Sequence, residues 1–425
     1  MIQHLAKPQR FLVRPAPGWS AVTLTEVQNI LQSPVQRYKF SPLVVPEDGQ
    51  VVVSECDYRQ GLEILSRVTT AHDVDWVLHS GRISRRGDWP VFFERSGVAK
   101  LWQSPERVYI KFTASVSHPI LGNEREIKEL ARGLIPLGPE AMLEGVDGQG
   151  PGLRQTIHLE STKNRQRLLV SLGGEPVYKR GYKVPGLPAV APLPEHHAAA
   201  CFRWAISQFE NRSAAHEWVI VNPFAGSGTT AIEALIQIMN IAPGVIRSSF
   251  ACESFEFHPT ATMASIRHRL GLQVSAAESA PAVVLGDIND TAVKNLPAQF
   301  DNFCQLVRRD IPVVVMANDF LSNPQALFAG VDPRRTVFLP LNPPFGQRLA
   351  KASGSLVIYE RLSKILSEFA RTRPVCGYVL CPDEETWGVI VRGLRSLEIK
   401  TQHFSHGGVD MRVVAFCGSS AFSVK

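Results

Sequence analysis

The chain has no run of about 18 uncharged apolar residues, so no membrane-spanning helix is predicted. Its first eight residues, MIQHLAKP, lack the apolar core of a secretory signal. Pro8, Pro15 and Pro17 disfavour the amphipathic helix of a transit peptide, so a cytoplasmic protein is expected. Seven cysteines are scattered with no C-x-x-C pair, and no Cys/His cluster has zinc-site spacing. His196 and His197, as neighbours on a helix, are expected to point apart rather than share a metal. No metal site and no disulfide framework are predicted; buried reduced thiols fit a reducing compartment. Internal repeats are also lacking. What remains is a chain of 425 residues, 44% of them apolar, enough for two or three domains with sizeable cores.

The net charge of +6 is unevenly spread. Residues 1–190 carry a balance of +5 and residues 191–425 only +1. Within 161–183, Lys163, Arg165, Arg167, Lys179, Arg180 and Lys183 stand against Glu175 alone. Clustered cations are the footprint of phosphate binding; a solvated basic face is the plainer alternative.

Pro185, Pro188, Pro192 and Pro194 mark a connector that suits neither helix nor sheet. Before it, strands are predicted at Phe11–Val13, Val51–Val53, Val108–Phe112, Gln155–Glu160 and Arg167–Leu172. Helices are predicted at Thr23–Leu31, Tyr58–Arg67 and Arg125–Leu134. After it, strand–helix alternation signals a mostly parallel sheet covered on both faces. The predicted strands are Trp218–Val221, Ser249–Cys252, Ala282–Leu285, Val313–Met316, Thr336–Leu339 and Cys376–Leu380. Leu397–Phe404 and Met411–Phe416 flank His406-Gly407-Gly408 and read as a closing hairpin.

Trp218–Val221 leads into Asn222-Pro223-Phe224-Ala225-Gly226-Ser227-Gly228-Thr229-Thr230, and a helix follows. Strand, glycine turn and helix place a ligand at the carboxyl edge of a parallel sheet. The two glycines permit close backbone approach, and the free N–H groups of the helix start favour an anion. A P-loop is excluded because no Lys-Ser/Thr follows the last glycine. A dinucleotide fingerprint is formally present as Gly226, Gly228 and Ala231; an S-adenosylmethionine loop has the same strand–turn–helix form.

A second motif separates these readings. Thr336–Leu341 delivers Asn342-Pro343-Pro344-Phe345-Gly346. Consecutive prolines fix an extended turn and leave carbonyls free to accept. The Asn342 side-chain oxygen and the adjacent Pro343 carbonyl can accept from one exocyclic amine, and Phe345 offers a face for a flipped base. Such a device holds an aromatic amine while its lone pair attacks an electrophile, which a dehydrogenase does not need.

Together these motifs resemble the THUMP-containing guanine-N2 RNA methyltransferases. Asn222–Thr229 is similar to the family loop D-P-F-C-G-S-G-T, and Asn342–Arg348 to N-P-P-Y/F-G-E-R. Lys179-Arg180-Gly181-Tyr182-Lys183 and Ala191-Pro192-Leu193-Pro194-Glu195 resemble R-R-G-Y-R and A-P-L-x-E; Ile241-Ala242-Pro243-Gly244 also looks like a family segment. The resemblance implies an α/β chain: a C-terminal Rossmann-like class I methyltransferase sheet preceded by α+β ferredoxin-like and THUMP-like modules. The implied boundaries are 1–104 (ferredoxin-like), 105–183 (THUMP-like, RNA-binding), 184–197 (Pro-rich linker) and 198–425 (methyltransferase).

The same resemblance implies S-adenosyl-L-methionine as cofactor, held by Asn222, Phe224, Ala225, Gly226, Gly228, Thr229, Asp287 and Asp319. Asn222 departs from the family Asp, which faces the amino end of the methionine moiety, and Ala225 departs from Cys. Asp287 is preferred over Glu253 for the ribose hydroxyls, Asp290 reads as a helix N-cap, and Asp319 would meet the adenine amine. Asn342, Pro343, Pro344 and Phe345 form the implied catalytic motif. Structured RNA, ribosomal or transfer, is the implied partner, contacted by Lys163, Arg165, Arg167, Lys179, Arg180, Lys183 and Arg348. No membrane, metal or obligate protein partner is implied. N6-adenine methylation of nucleic acid, a catalytically inactive RNA-binding relative and a nicotinamide dehydrogenase are the rival readings.

Overall fold

The computed structural model describes every residue except 1–6, 33–38, 103–107, 117–122, 135–152, 163–164, 188–192, 210–217, 276–279, 346–351 and 419–425. The chain forms two compact units, and neither is one continuous segment. Unit 1 takes Met1–Pro15, Thr23–Lys179 and Arg247–Arg269; unit 2 takes Ala16–Val22, Arg180–Ile246 and Leu270–Lys425.

Unit 1 is built on a sheet of seven strands among the described residues: β1 (Gln9–Pro15), β2 (Leu43–Glu47), β3 (Gln50–Cys56), β4 (Ala71–Gly81), β5 (Val108–Val116), β6 (Leu153–Ser161) and β7 (Gln166–Ser171). Their order is β2-β3-β1-β4-β7-β6-β5. The first four, with helices α1 (Ser20–Gln32) and α2 (Tyr58–Arg67), trace the antiparallel βαββαβ path of a ferredoxin-like module. Helix α2 starts where predicted because Asp57 and Gln60 form a reciprocal capping box. Strands β2 and β4 and the helix Trp89–Ser96 (α3) had no sequence prediction. The sheet is continuous where a division near residue 104 was expected, since β4 pairs antiparallel with β7 from Asp75↔Ser171 to Gly81↔Gln166.

The Arg247–Arg269 segment is fixed within unit 1 by main-chain polar groups. Cys252 N donates to Leu172 O at 3.0 Å, and the Arg247 guanidinium donates to Gly173 O at 2.7 Å. The strand predicted at Ser249–Cys252 is absent; Ala251–Ser254 is a 3-10 turn. Phe250-Ala251-Cys252 is apolar because it is buried, not because it pairs in a ladder.

Unit 2 carries β8 (Val219–Asn222), β9 (Ala282–Asp287), β10 (Val313–Ala317), β11 (Val337–Leu341), β12 (Val375–Cys381), β13 (Glu398–His406) and β14 (Val409–Cys417). The order is β10-β9-β8-β11-β12-β14-β13. Strands β8 to β12 are parallel, and the β13–β14 hairpin closes the edge antiparallel through β12. Side chains alternate between faces. Ile220, Leu285, Phe338 and Tyr378 enter one core, whereas Val219, Val221, Leu339 and Val379 enter the other. The helix Glu195–Ser207 (α4) and the helix Thr229–Ile238 (α5) supply Cys201, Ile232 and Leu235 to the first core. The helix Asp290–Val307 (α6) adds Phe300 and Phe303. Tyr359 and Leu366 of the helix Ala352–Thr372 (α7) fill the second. Strand β8 is the switch point: the chain passes from it to β9 on one side and later to β11 on the other. Ligand crevices in open α/β sheets form at the carboxyl ends beside such a point.

Candidate active site

The residues leaving β8, β9, β10 and β11 converge on one cavity of about 600 Å³ in unit 2. Its wall includes Phe224–Ser227 and Thr229–Thr230 after β8, Asp287–Asn289 after β9, Asn318–Leu321 after β10, and Asn342 and Pro344 after β11.

The glycine loop is shaped by its own backbone. Gly226 has φ +53° and Gly228 φ +75°, a region in which a β-carbon is strained. Ala225 N donates to Gly286 O at 3.0 Å, and Gly228 N donates to Ala225 O at 2.7 Å. The two glycines differ in purpose. A β-carbon on Gly226 would enter open space beside the cavity, whereas one on Gly228 would meet the Phe300 ring at 2.9 Å. Gly228 packs tightly against Phe300 of α6 and is not among the described wall residues.

Asn222 is also not among the described wall residues. It is fully buried; its Nδ2 donates to Thr230 Oγ1 at 2.7 Å and its Oδ1 accepts from Phe224 N at 3.2 Å. That Asx turn ties strand to helix. The Asp-to-Asn departure thus falls on an internal hinge of the loop.

Asp287 lines the cavity and spans two loops. Its Oδ2 accepts from Gly226 N at 2.7 Å and its Oδ1 from Asn289 N at 2.9 Å. Each carboxylate oxygen keeps a lone pair for a hydroxyl. Glu253, the rival, belongs to unit 1 and makes a bidentate pair with Arg267, with bonds of 2.9 and 2.5 Å. Asn289, not Asp290, is the N-cap of α6, accepting from Thr291 N and Ala292 N. Asp319 lines the cavity and also caps its own turn, accepting from Leu321 N at 3.1 Å and Ser322 Oγ at 2.5 Å.

Two buried acceptors on the described cavity wall have no hydrogen-bond partner: Asn318 Oδ1 and Asn342 Oδ1. Both residues line the cavity. An orphan acceptor costs about 1–3 kcal/mol unless a donor reaches it. At Asn342 the prolines that follow restrict the backbone that carries this oxygen. Pro344 lines the cavity, Pro343 is buried beneath it, and Phe345 packs against the first core instead of lining the wall. Asn318 was missed from the sequence because nothing in Ala317-Asn318-Asp319 distinguishes a wall residue from a turn residue.

Of the expected RNA contacts, Lys163 and Arg348 lie outside the described residues. Arg165 and Arg167 both pair with Glu47, and Arg167 is 5% exposed with Glu160 as a second partner at 3.6 Å. Arg180 is wholly buried; its Nε and terminal nitrogen donate to Glu233 at 2.9 and 2.8 Å, and Tyr182 Oη donates to the same carboxylate at 3.0 Å. Burial opposes the charge, but the Glu233 carboxylate outweighs it and raises the guanidinium pKa. Arg167 and Arg180 are therefore internal ion-pair members, not phosphate ligands. Lys183 lines the cavity, and Lys179 alone of the set is solvent-exposed among the described residues. The His196 and His197 rings sit 4.6 Å apart, closer than expected for helix neighbours, yet no group of three metal-binding side chains exists among the described residues.

Comparison with known proteins agrees with this architecture. Residues 203–309 match the UPF0020 family, an RMKL-like methyltransferase domain. The chain is 26% identical over 326 residues to ribosomal RNA large subunit methyltransferase K/L of Acinetobacter baumannii, covering 72% of this chain and 38% of that protein. It thus spans well under half the length of that relative. The methyltransferase SMU.472, solved with SAH, superposes with a TM-score of 0.72 at 19% identity, covering 99% of this chain and 100% of that one. TrmN from Thermus thermophilus gives 0.58 at 18% identity, covering 96% and 99%. At these identities the structural likeness concerns fold: a class I Rossmann-like sheet. Residues 203–309 are therefore similar to an RMKL-like methyltransferase domain, set within a class I Rossmann-like fold.

Proposed function

We propose that the protein is an S-adenosylmethionine-dependent methyltransferase that modifies the exocyclic N2 of a guanosine in structured RNA. The observation that carries this reading is the buried, unpartnered Asn342 oxygen on the wall shared with the glycine loop and Asp287. The cavity suits the donor: Gly226 leaves open space, Asp287 offers lone pairs for ribose hydroxyls, and Asp319 and Asn318 offer acceptors for the adenine amine. When bound, S-adenosylmethionine supplies an electrophilic methyl group. Asn342 Oδ1 accepts from the target amine and fixes its orientation, the contribution from which most acceleration is expected, about 7–11 kcal/mol.

The name of the Acinetobacter relative favours ribosomal over transfer RNA as substrate. Residues 105–183 are read as a THUMP-like module delivering that RNA, with Lys179 as its exposed phosphate contact. A cytoplasmic location follows from such a substrate.

The test is single-turnover transfer of labelled methyl to ribosomal RNA from cells lacking the protein, with product nucleosides identified by mass spectrometry. N2-methylguanosine that disappears with Asn342→Ala is expected. N6-methyladenosine would keep the site and overturn the guanine assignment; absence of any transfer with S-adenosylmethionine bound would favour an inactive RNA-binding relative.

A further inference from the structure

The cavity wall contains two acids, Asp287 and Asp319, and among the described residues a single cation, Lys183. Its position is built rather than incidental. The segment before and after it is fastened to the two helices that begin at the cavity. Tyr182 Oη and the Arg180 guanidinium donate to Glu233 on α5, the helix that starts at Thr229. The Tyr182 carbonyl accepts from Gln299 Nε2 at 2.5 Å and Asn302 Nδ2 at 2.7 Å, and Val184 N donates to Gln299 Oε1 at 3.3 Å; both partners lie on α6. Arg180, Tyr182 and Val184 are thereby tied, and Lys183 is carried between them. Its ammonium lies 3.1 Å from Glu195 Oε1, and Glu195 is itself buried. One N–H satisfies that carboxylate; an ammonium has three donors, so two remain.

We infer that Lys183 binds the α-carboxylate of the methyl donor, with Glu195 holding its ammonium in place. The inference rests on the methyl-donor reading and reassigns Lys183 from RNA phosphate to cofactor. A carboxylate that leaves bulk water for a cavity needs a donor of opposite charge, and among the described wall residues Lys183 offers one. The first-turn N–H groups at Thr229 and Thr230 add donors on the same wall.

The test compares two ligands by isothermal titration: S-adenosylhomocysteine and its decarboxylated counterpart, which lacks the carboxylate but keeps adenosine, sulfur and amine. Wild-type protein should prefer S-adenosylhomocysteine by about ten- to hundredfold, the scale of a hydrogen bond to a charged group. Lys183→Met should lose that preference by weakening S-adenosylhomocysteine alone, and Lys183→Arg should keep most of it. Equal weakening of both ligands in Lys183→Met, or an undiminished preference, would overturn the assignment and leave Lys183 a structural residue. Failure of wild-type protein to bind either ligand would overturn the methyl-donor reading beneath it, an outcome distinct from the other two.

Discussion

The Asp287 carboxylate accepts a hydrogen bond from the Gly226 backbone at 2.7 Å, joining the loop after β9 to the loop after β8. The acid thus shapes the cavity as well as lining it. Asp287→Ala should weaken S-adenosylhomocysteine binding by about 1–3 kcal/mol, measured by titration calorimetry. Glu253→Ala should leave that affinity unchanged while lowering thermal stability, because Glu253 serves Arg267 in unit 1.

The two loop glycines should fail differently. Gly228→Ala adds a β-carbon 2.9 Å from Phe300 at positive φ, so overpacking of about 1–3 kcal/mol should appear as a lower urea midpoint. Gly226→Ala meets no neighbour, so its stability cost should be limited to the strained φ, about 1–2 kcal/mol. Its ligand affinity should fall further than that of Gly228→Ala, since Gly226 lines the cavity.

Removal of Arg180 should unfold rather than weaken RNA contact. Arg180→Met leaves the Glu233 carboxylate buried and uncompensated, at a cost of about 3–5 kcal/mol. Lys179→Ala should fold normally and reduce the log–log salt slope of RNA binding by about one unit. Arg167→Ala should leave that slope unaltered, because its charge is already spent on Glu47 and Glu160.

Unit 1 should show a histidine contribution to acid sensitivity. Burial, then the Arg14 guanidinium, push the His158 imidazole below its ordinary 6.5. The fold therefore favours the neutral ring: this contribution is complete above pH 6.5 and is lost as pH falls through the lowered folded value. His158→Gln should match the wild-type pH profile of urea midpoints above 7 in slope, and fall less steeply below 6.5.

Much of unit 2 was legible because its signals are local. Each parallel strand is a short apolar run bounded by loop residues, and the glycine and Asn-Pro-Pro turns mark their ends. Partners distant in sequence were not legible. Nothing around Arg180 reveals that Glu233, on α5, lies against it, and nothing around Arg167 reveals Glu47. Strand β4 escaped because Asp73, Asp75 and His79 interrupt its apolar pattern, although Asp75 is satisfied by Arg14 and Asp73 by the Ser171 hydroxyl. Phe345 was read as a stacking face because an aromatic ring in sequence does not reveal which surface it packs against.

The exchange of segments between the units has a consequence for biosynthesis. Trp19 stacks near Trp204 and Phe404 in the core of unit 2, and its indole donates to His197 at 3.2 Å. Cys252 and Arg247 bind the main chain of unit 1. A ribosome reading from the amino terminus cannot complete unit 1 until residue 269 has emerged, by which time the glycine loop is already exposed outside the tunnel. No cut at the Pro-rich connector yields either unit intact, and even a fragment beginning at residue 180 should need residues 16–22 supplied in trans.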